Sequence, residues 1–119
     1  MEFVSKSHNT YECKWRTEYN ILRGKVIARY KELSELQKIY DKKVAECTHF
    51  LELEKPNAAT RAKTTKILID TLKARREIKN EFMDIQTVFE AMKNALKKEI
   101  EQGYTYSEDF LTEVFGEEN

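Results

Sequence analysis

Leu51-Glu52-Leu53-Glu54-Lys55-Pro56-Asn57-Ala58 is the stretch on which the reading of this chain turns. Pro56 is the only proline in 119 residues. A proline lacks the N–H that a helix interior needs, and it disfavours helical backbone in the residue before it. Asn57, directly after it, is a good helix N-cap. The stretch therefore reads as the end of one helix and the start of another, with the turn at residues 54–57.

Working upstream, apolar residues recur at Tyr11, Trp15, Tyr19, Leu22, Val26, Tyr30, Leu33, Leu36, Tyr40, Val44, Cys47 and Leu51, eleven steps over forty residues. That spacing is one face of an α-helix. Asn9 with Glu12 three residues on forms a capping box, so the first helix is predicted over residues 10–53, after an N-terminal arm of residues 1–9. Downstream, Thr60, Thr64, Ile67, Thr71, Ala74, Ile78, Phe82, Ile85, Phe89, Met92, Leu96 and Ile100 repeat the pattern. Gly103 is placed to stop it, which predicts a second helix over residues 57–102. So short a link between two helices of similar length brings them back antiparallel. Both stripes repeat nearer 3.6 than 3.5 residues, which predicts a nearly straight pair.

The remaining residues, 104–119, form an acidic tail in which Ser107 caps, Glu108 and Asp109 suit the first turn, and Gly116 stops a short helix over residues 108–115. The expected fold is all-α: a long, coiled-coil-like antiparallel two-helix hairpin with a short C-terminal helix, assembling into a larger bundle. Composition agrees, since 35% of residues are charged and only three are glycine. A sandwich or barrel needs turn residues every ~8–12 positions.

Three surfaces are candidates for binding. The first half of helix 2 carries a second apolar side through Ala62, Thr65, Ile69 and Leu72, which one partner helix cannot cover. Leu68, Ile69 and Leu72, with Ile39 and Phe50 of helix 1, are the predicted self-association residues, against the plainer reading of scattered surface aliphatics. In the tail, Phe110, Leu111, Val114 and Phe115 share one side of the short helix. That side either enters a partner's groove or folds back as a lid over Tyr11 and Trp15. Finally, residues 54–80 hold eight Lys/Arg against three acids. Lys66, Lys73 and Arg76, with Lys42 and Lys43 of helix 1, are candidate contacts for a phosphate backbone, weighed against a solvated face of i,i+4 ion pairs.

Other classes find little footing. No apolar run reaches the ~18 residues of a membrane span. Met1-Glu2-Phe3-Val4-Ser5 has no basic, apolar lead of a secretory signal, and with two cysteines this points to a reducing, cytoplasmic setting. Cys13 and Cys47 are too far apart along one helix to share a metal or a disulfide. There is no P-loop, dinucleotide fingerprint, nucleophile elbow or zinc-protease motif. No enzyme, cofactor or small-molecule substrate is therefore expected. Gly24, inside helix 1, is either a point of close approach or simply tolerated.

The segment Leu51–Ala58, followed by a Thr- and Lys-rich helix, resembles the antiparallel hairpin of some tailed-phage small terminase subunits. Lys14-Trp15 near the start of a long helix is similar to phage recombination mediators, although those carry a longer segment between their helices. Neither resemblance assigns a site residue. The first expectation is a non-enzymatic, homo-oligomeric interaction, assembly or adaptor protein with a protein partner. The alternatives are an accessory DNA-binding protein of recombination, replication or packaging, and a small inhibitor of a host protein.

Overall fold

The computed structural model describes residues 13–116, which form α1 (Lys14–Leu53), α2 (Ala58–Glu101) and α3 (Glu108–Phe115). These residues contain no strand, and α1 and α2 pair antiparallel. The arm at residues 1–9, the Asn9–Glu12 capping box and Tyr11 lie outside the described residues.

Helix ends follow local chemistry. Cys13 has φ +57°, left-handed backbone that a helix cannot run through, so α1 begins at Lys14, and the start expected at residue 10 lies outside the described residues. Its first bond runs from the Thr17 N–H to the Cys13 carbonyl at 3.0 Å. The Asn57 side chain accepts the Thr60 N–H at 2.9 Å and caps α2. At the far end Gly103 takes φ +104°. Its N–H donates to Ile100 O at 3.1 Å and the Tyr104 N–H to Glu99 O at 3.0 Å, the paired bonds of a Schellman stop. Ser107 caps α3 by accepting the Phe110 N–H at 3.2 Å.

The chain divides into two compact units. The turn unit is Tyr30–Ile85: the second part of α1, the link, and the first part of α2. Tyr30 stacks on Phe82 with ring centroids 5.2 Å apart, and Arg75 pairs with Asp41. Only Leu33 and Thr71 of this unit's residues are buried. The Thr71 hydroxyl meets its need locally by donating to Ile67 O at 2.7 Å. Small threonines facing α1 give this unit a thin interior.

Ile67, expected inside, is 47% exposed, and Leu68, expected in an outer patch, is half-buried. Thr64, Leu68, Thr71, Arg75, Ile78 and Phe82 are covered in alternating steps of four and three, with Thr60, Ala74, Lys79 and Ile85 half-buried beside them. That alternation is the inner seam of a paired helix, and the stripe read from the sequence leaves cover in this unit only at Ile67.

The three-helix unit comprises the described residues 13–29 and 86–116. Here Val26, Ile27, Phe89, Met92, Leu96 and Val114 are buried, each side chain worth ~1.5–3 kcal/mol relative to exposure. Two expectations fail on the same alternation. Leu22 and Trp15 stand outside, with Trp15 69% exposed, and the inner positions go to Arg16 and Arg23. Among the described residues nothing comes close to Gly24, since a Cβ built there meets nothing within 4 Å.

Candidate functional site

The most elaborate chemistry lies in the three-helix unit. Arg16 and Arg23 stand seven residues apart on α1, on one line of the helix. Arg16 donates twice to the Glu99 carboxylate, at 2.8 and 3.1 Å, a bidentate pair. It also donates to the Tyr106 hydroxyl at 3.1 Å, and that hydroxyl donates to Glu99. Arg23 is 2% exposed. Its Nη2 donates to Asn20 at 3.1 Å and its Nη1 lies 3.5 Å from Glu99 without a hydrogen bond. Three rings enclose its guanidinium: Tyr19 at 5.2 Å, Phe110 at 5.2 Å and Tyr106 at 5.6 Å. Arg16 lies over Tyr104 at 5.4 Å and Tyr19 at 5.8 Å. Ring faces are electron-rich and hold a cation well away from water.

The charges perturb one another. Burial pushes the Glu99 carboxyl up, but hydrogen bonds from Arg16 and Tyr106 and the charges of both arginines outweigh it, so it titrates below its usual range. The hydrogen bond to Glu99 raises Arg16 further. Burial and then the neighbouring carboxylate raise the Tyr106 phenol. These shifts keep Glu99 ionised and Arg16 and Tyr106 protonated at neutral pH, and the three bond to one another, so the cluster ties the helices together.

The cluster also explains where α3 goes. Phe110 covers Arg23, Val114 is buried, and Leu111 and Phe115 are half-buried. The apolar face proposed for a partner's groove is thus turned onto the protein's own helices. Docking elsewhere would require α3 to be released. Of the lid expected over Tyr11 and Trp15, Tyr11 lies outside the described residues and Trp15 stays exposed; α3 instead faces Asn20, Arg23, Ile27 and Ala28 of α1. A cavity of about 270 Å³ remains there, walled by Phe110 and Glu113. On its other side α3 borders an open groove of about 850 Å³ against α2, lined by Lys93, Lys97, Ile100, Leu111 and Phe115 among others.

The residues predicted for self-association all fall in the turn unit, where Ile39 (57%), Ile69 (47%), Leu72 (40%) and Phe50 are exposed and Leu68 is not. They do not form one patch. On α1, Leu36, Lys43 and Phe50 each follow the central line Leu33–Tyr40–Cys47 by three residues, and Gln37, Val44 and Leu51 follow it by four. Steps of three and of four turn opposite ways around a helix. On α2 the central line is Thr64–Thr71–Ile78, with Ile67 and Ala74 three residues on and Leu68, Arg75 and Phe82 four residues on. Asp41, four residues beyond Gln37, pairs with Arg75, and this joins the two four-step sides. Ile39, Phe50 and Ile67 therefore share one flank of the turn unit. Leu72 stands on the other, with Ile69 further round.

The basic candidates are likewise divided. Lys66 pairs with Asp70 at 3.6 Å, and both side chains are well exposed. Lys66, Lys73 and Arg76 occupy the outward side of α2, Lys42 the outward side of α1, and Lys43 the flank of Ile39. No single stripe gathers all five. No described helix is long and apolar enough to cross a membrane.

No protein-family model matches the chain, nor does any curated protein or solved structure. The two phage resemblances rest on the residues quoted for them alone.

Proposed function

We propose that this chain is a non-enzymatic interaction and assembly protein that meets a protein partner through its turn unit. The observation that carries this is the contrast in burial. The three-helix unit covers six aliphatic or aromatic side chains and an arginine, whereas 56 residues of the turn unit bury only Leu33 and Thr71. Ile39, Leu53, Ile67, Ile69, Leu72 and Met83 of that same unit are exposed. Apolar side chains left exposed on two flanks, each beside charged residues, are what a protein partner would cover. The absence of catalysis is inferred from the polar cluster, whose members bond to one another beneath α3.

The test is photo-crosslinking in producing cells, with a benzophenone side chain at position 39, 50 or 72 and a control at exposed position 18. Discrete adducts to a polypeptide from the first three sites, and none from position 18, are expected. Silence at all three sites would remove the reading. DNA binding stands second: the divided cations favour weak, salt-sensitive contact over a defined groove.

A further inference from the structure

The two flanks of the turn unit differ in charge as well as in position. Within residues 30–85, the flank of Ile39, Phe50 and Ile67 is the pair of helical lines on the three-step side of each helix. Those lines carry Glu32, Glu46, Asp70, Glu77, Glu81 and Asp84 against Lys43 and Lys63. The corresponding two lines on the four-step side carry Arg61, Arg75 and Lys79 against Asp41, around Leu72. Ile69 and Arg76 come next outward on that side. One flank is apolar and acidic, and the other is apolar and basic.

We infer that the partner of the turn unit is a second copy of this chain, whose basic flank stacks on the acidic flank of the first. This rests on the interaction reading above and names the partner. A symmetric contact of acidic flank on acidic flank would set like charges opposite each other, as would basic on basic. Such juxtapositions cost free energy and disfavour the pairing. Acidic on basic satisfies both flanks with one contact and buries Ile39, Phe50 and Ile67 against Leu72 and Ile69. It gives the turn unit the apolar interior it lacks alone.

Such a contact is heterologous: each copy offers a different surface to each neighbour. Every copy bound on one flank keeps the other flank open. The assembly therefore closes into a ring if its rotation permits and otherwise grows as a filament. Because opposite charges line the contact, assembly weakens as salt rises.

Sedimentation velocity of the purified full chain, alone and in mixtures, tests this directly. Ile39→Lys spoils the acidic flank and Leu72→Lys the basic one, and both positions are exposed enough (57% and 40%) for a lysine to be accommodated in the folded chain, with circular dichroism as the check. Wild type is expected to sediment as species larger than a monomer in 50 mM salt and to shift toward monomer in 500 mM. Each variant alone is expected to be monomeric. An equimolar mixture of the two is expected to give dimers and nothing larger, because only one intact acidic–basic contact can form between them.

A monomeric wild type at high concentration and low salt overturns the inference. So does a mixture that stays monomeric, or a single variant that still self-associates. If wild type is monomeric yet crosslinks in cells to a different polypeptide, the second-copy partner is wrong and the interaction reading stands. If it is monomeric and forms no crosslinks, both are lost.

Discussion

Glu99→Gln isolates what the carboxylate does for the arginine pair, since it preserves shape and removes one charge. The Arg23 side chain is 3% exposed and that of Glu99 13%, so neither charge is well hydrated by bulk water. Arg16 sits 2.8 Å from the carboxylate and Arg23 3.5 Å. A unit charge pair near 4 Å is worth ~4 kcal/mol at an effective dielectric constant of about 20. The glutamine oxygen still accepts a neutral hydrogen bond of about 1 kcal/mol. A net loss of about 3 kcal/mol follows, at the low end of the ~3–5 kcal/mol seen when a buried ion loses its partner. With a urea slope near ~2 kcal/mol/M, the unfolding midpoint at pH 7 drops by about 1.5 M, read by circular dichroism at 222 nm.

The pH dependence gives a second readout. The folded carboxyl titrates below the ordinary value of 4.5, so its contribution is complete above that pH and drains away as pH falls through the folded value. Wild type and Glu99→Gln should therefore converge in stability toward acid. A variant with a midpoint within about 0.3 M of wild type at pH 7, on the same ~2 kcal/mol/M scale, would show that water already satisfies both arginines and that the cluster does not clamp the helices.

Other substitutions probe the same architecture. Tyr106→Phe removes the hydroxyl shared by Arg16 and Glu99, costs about 1–2 kcal/mol in chemical denaturation, and should flatten the alkaline limb. The sign follows from the raised phenol: its contribution is intact below the ordinary value of 10.0 and is lost as pH climbs through the folded one. Gly24→Ala should raise stability by about 0.5–1 kcal/mol, seen as a higher melting temperature, because the added methyl meets nothing and the helix gains a better former. Val114→Ala should cost about 1–3 kcal/mol, concentrated at α3, with hydrogen exchange speeding up over residues 108–115 and little changed at Leu33.

Much of the fold was legible because it depends on few signals. Pro56, Asn57, Gly103 and Ser107 punctuate the helices through backbone chemistry that acts within a few residues. Periodicity then identified three helices and their antiparallel return. The interior was harder. Ile67 and Leu68 are adjacent, both aliphatic, and both keep steps of three and four from Thr64 and Thr71, so the pattern within α2 alone does not say which faces α1. The arginine cluster was missed for a related reason. An apolar count passes over Arg16 and Arg23 and takes Trp15 and Leu22, one residue away in each case. Their seven-residue spacing, interleaved with Tyr19 and Val26 in steps of three and four, was the available signal. That Glu99 and Tyr106 answer them depends on the return of α2 and α3, which no local window contains. The two flanks were merged into one patch because sequence distance from the turn says nothing about handedness around it.

The cage around Arg23 fixes more than the position of α3. Purely greasy seams tolerate slippage, because one methyl substitutes for another a turn away. A guanidinium stays charged at every pH a cell experiences, and it must find its rings and its carboxylate together. Sliding α3 by one turn would take the Phe110 ring off that cation and open a buried charge that Tyr19, Asn20 and Glu99 cover only in part. The short helix thus has a single permitted register, set by one ion that cannot be neutralised, while the aliphatics around it remain free to vary.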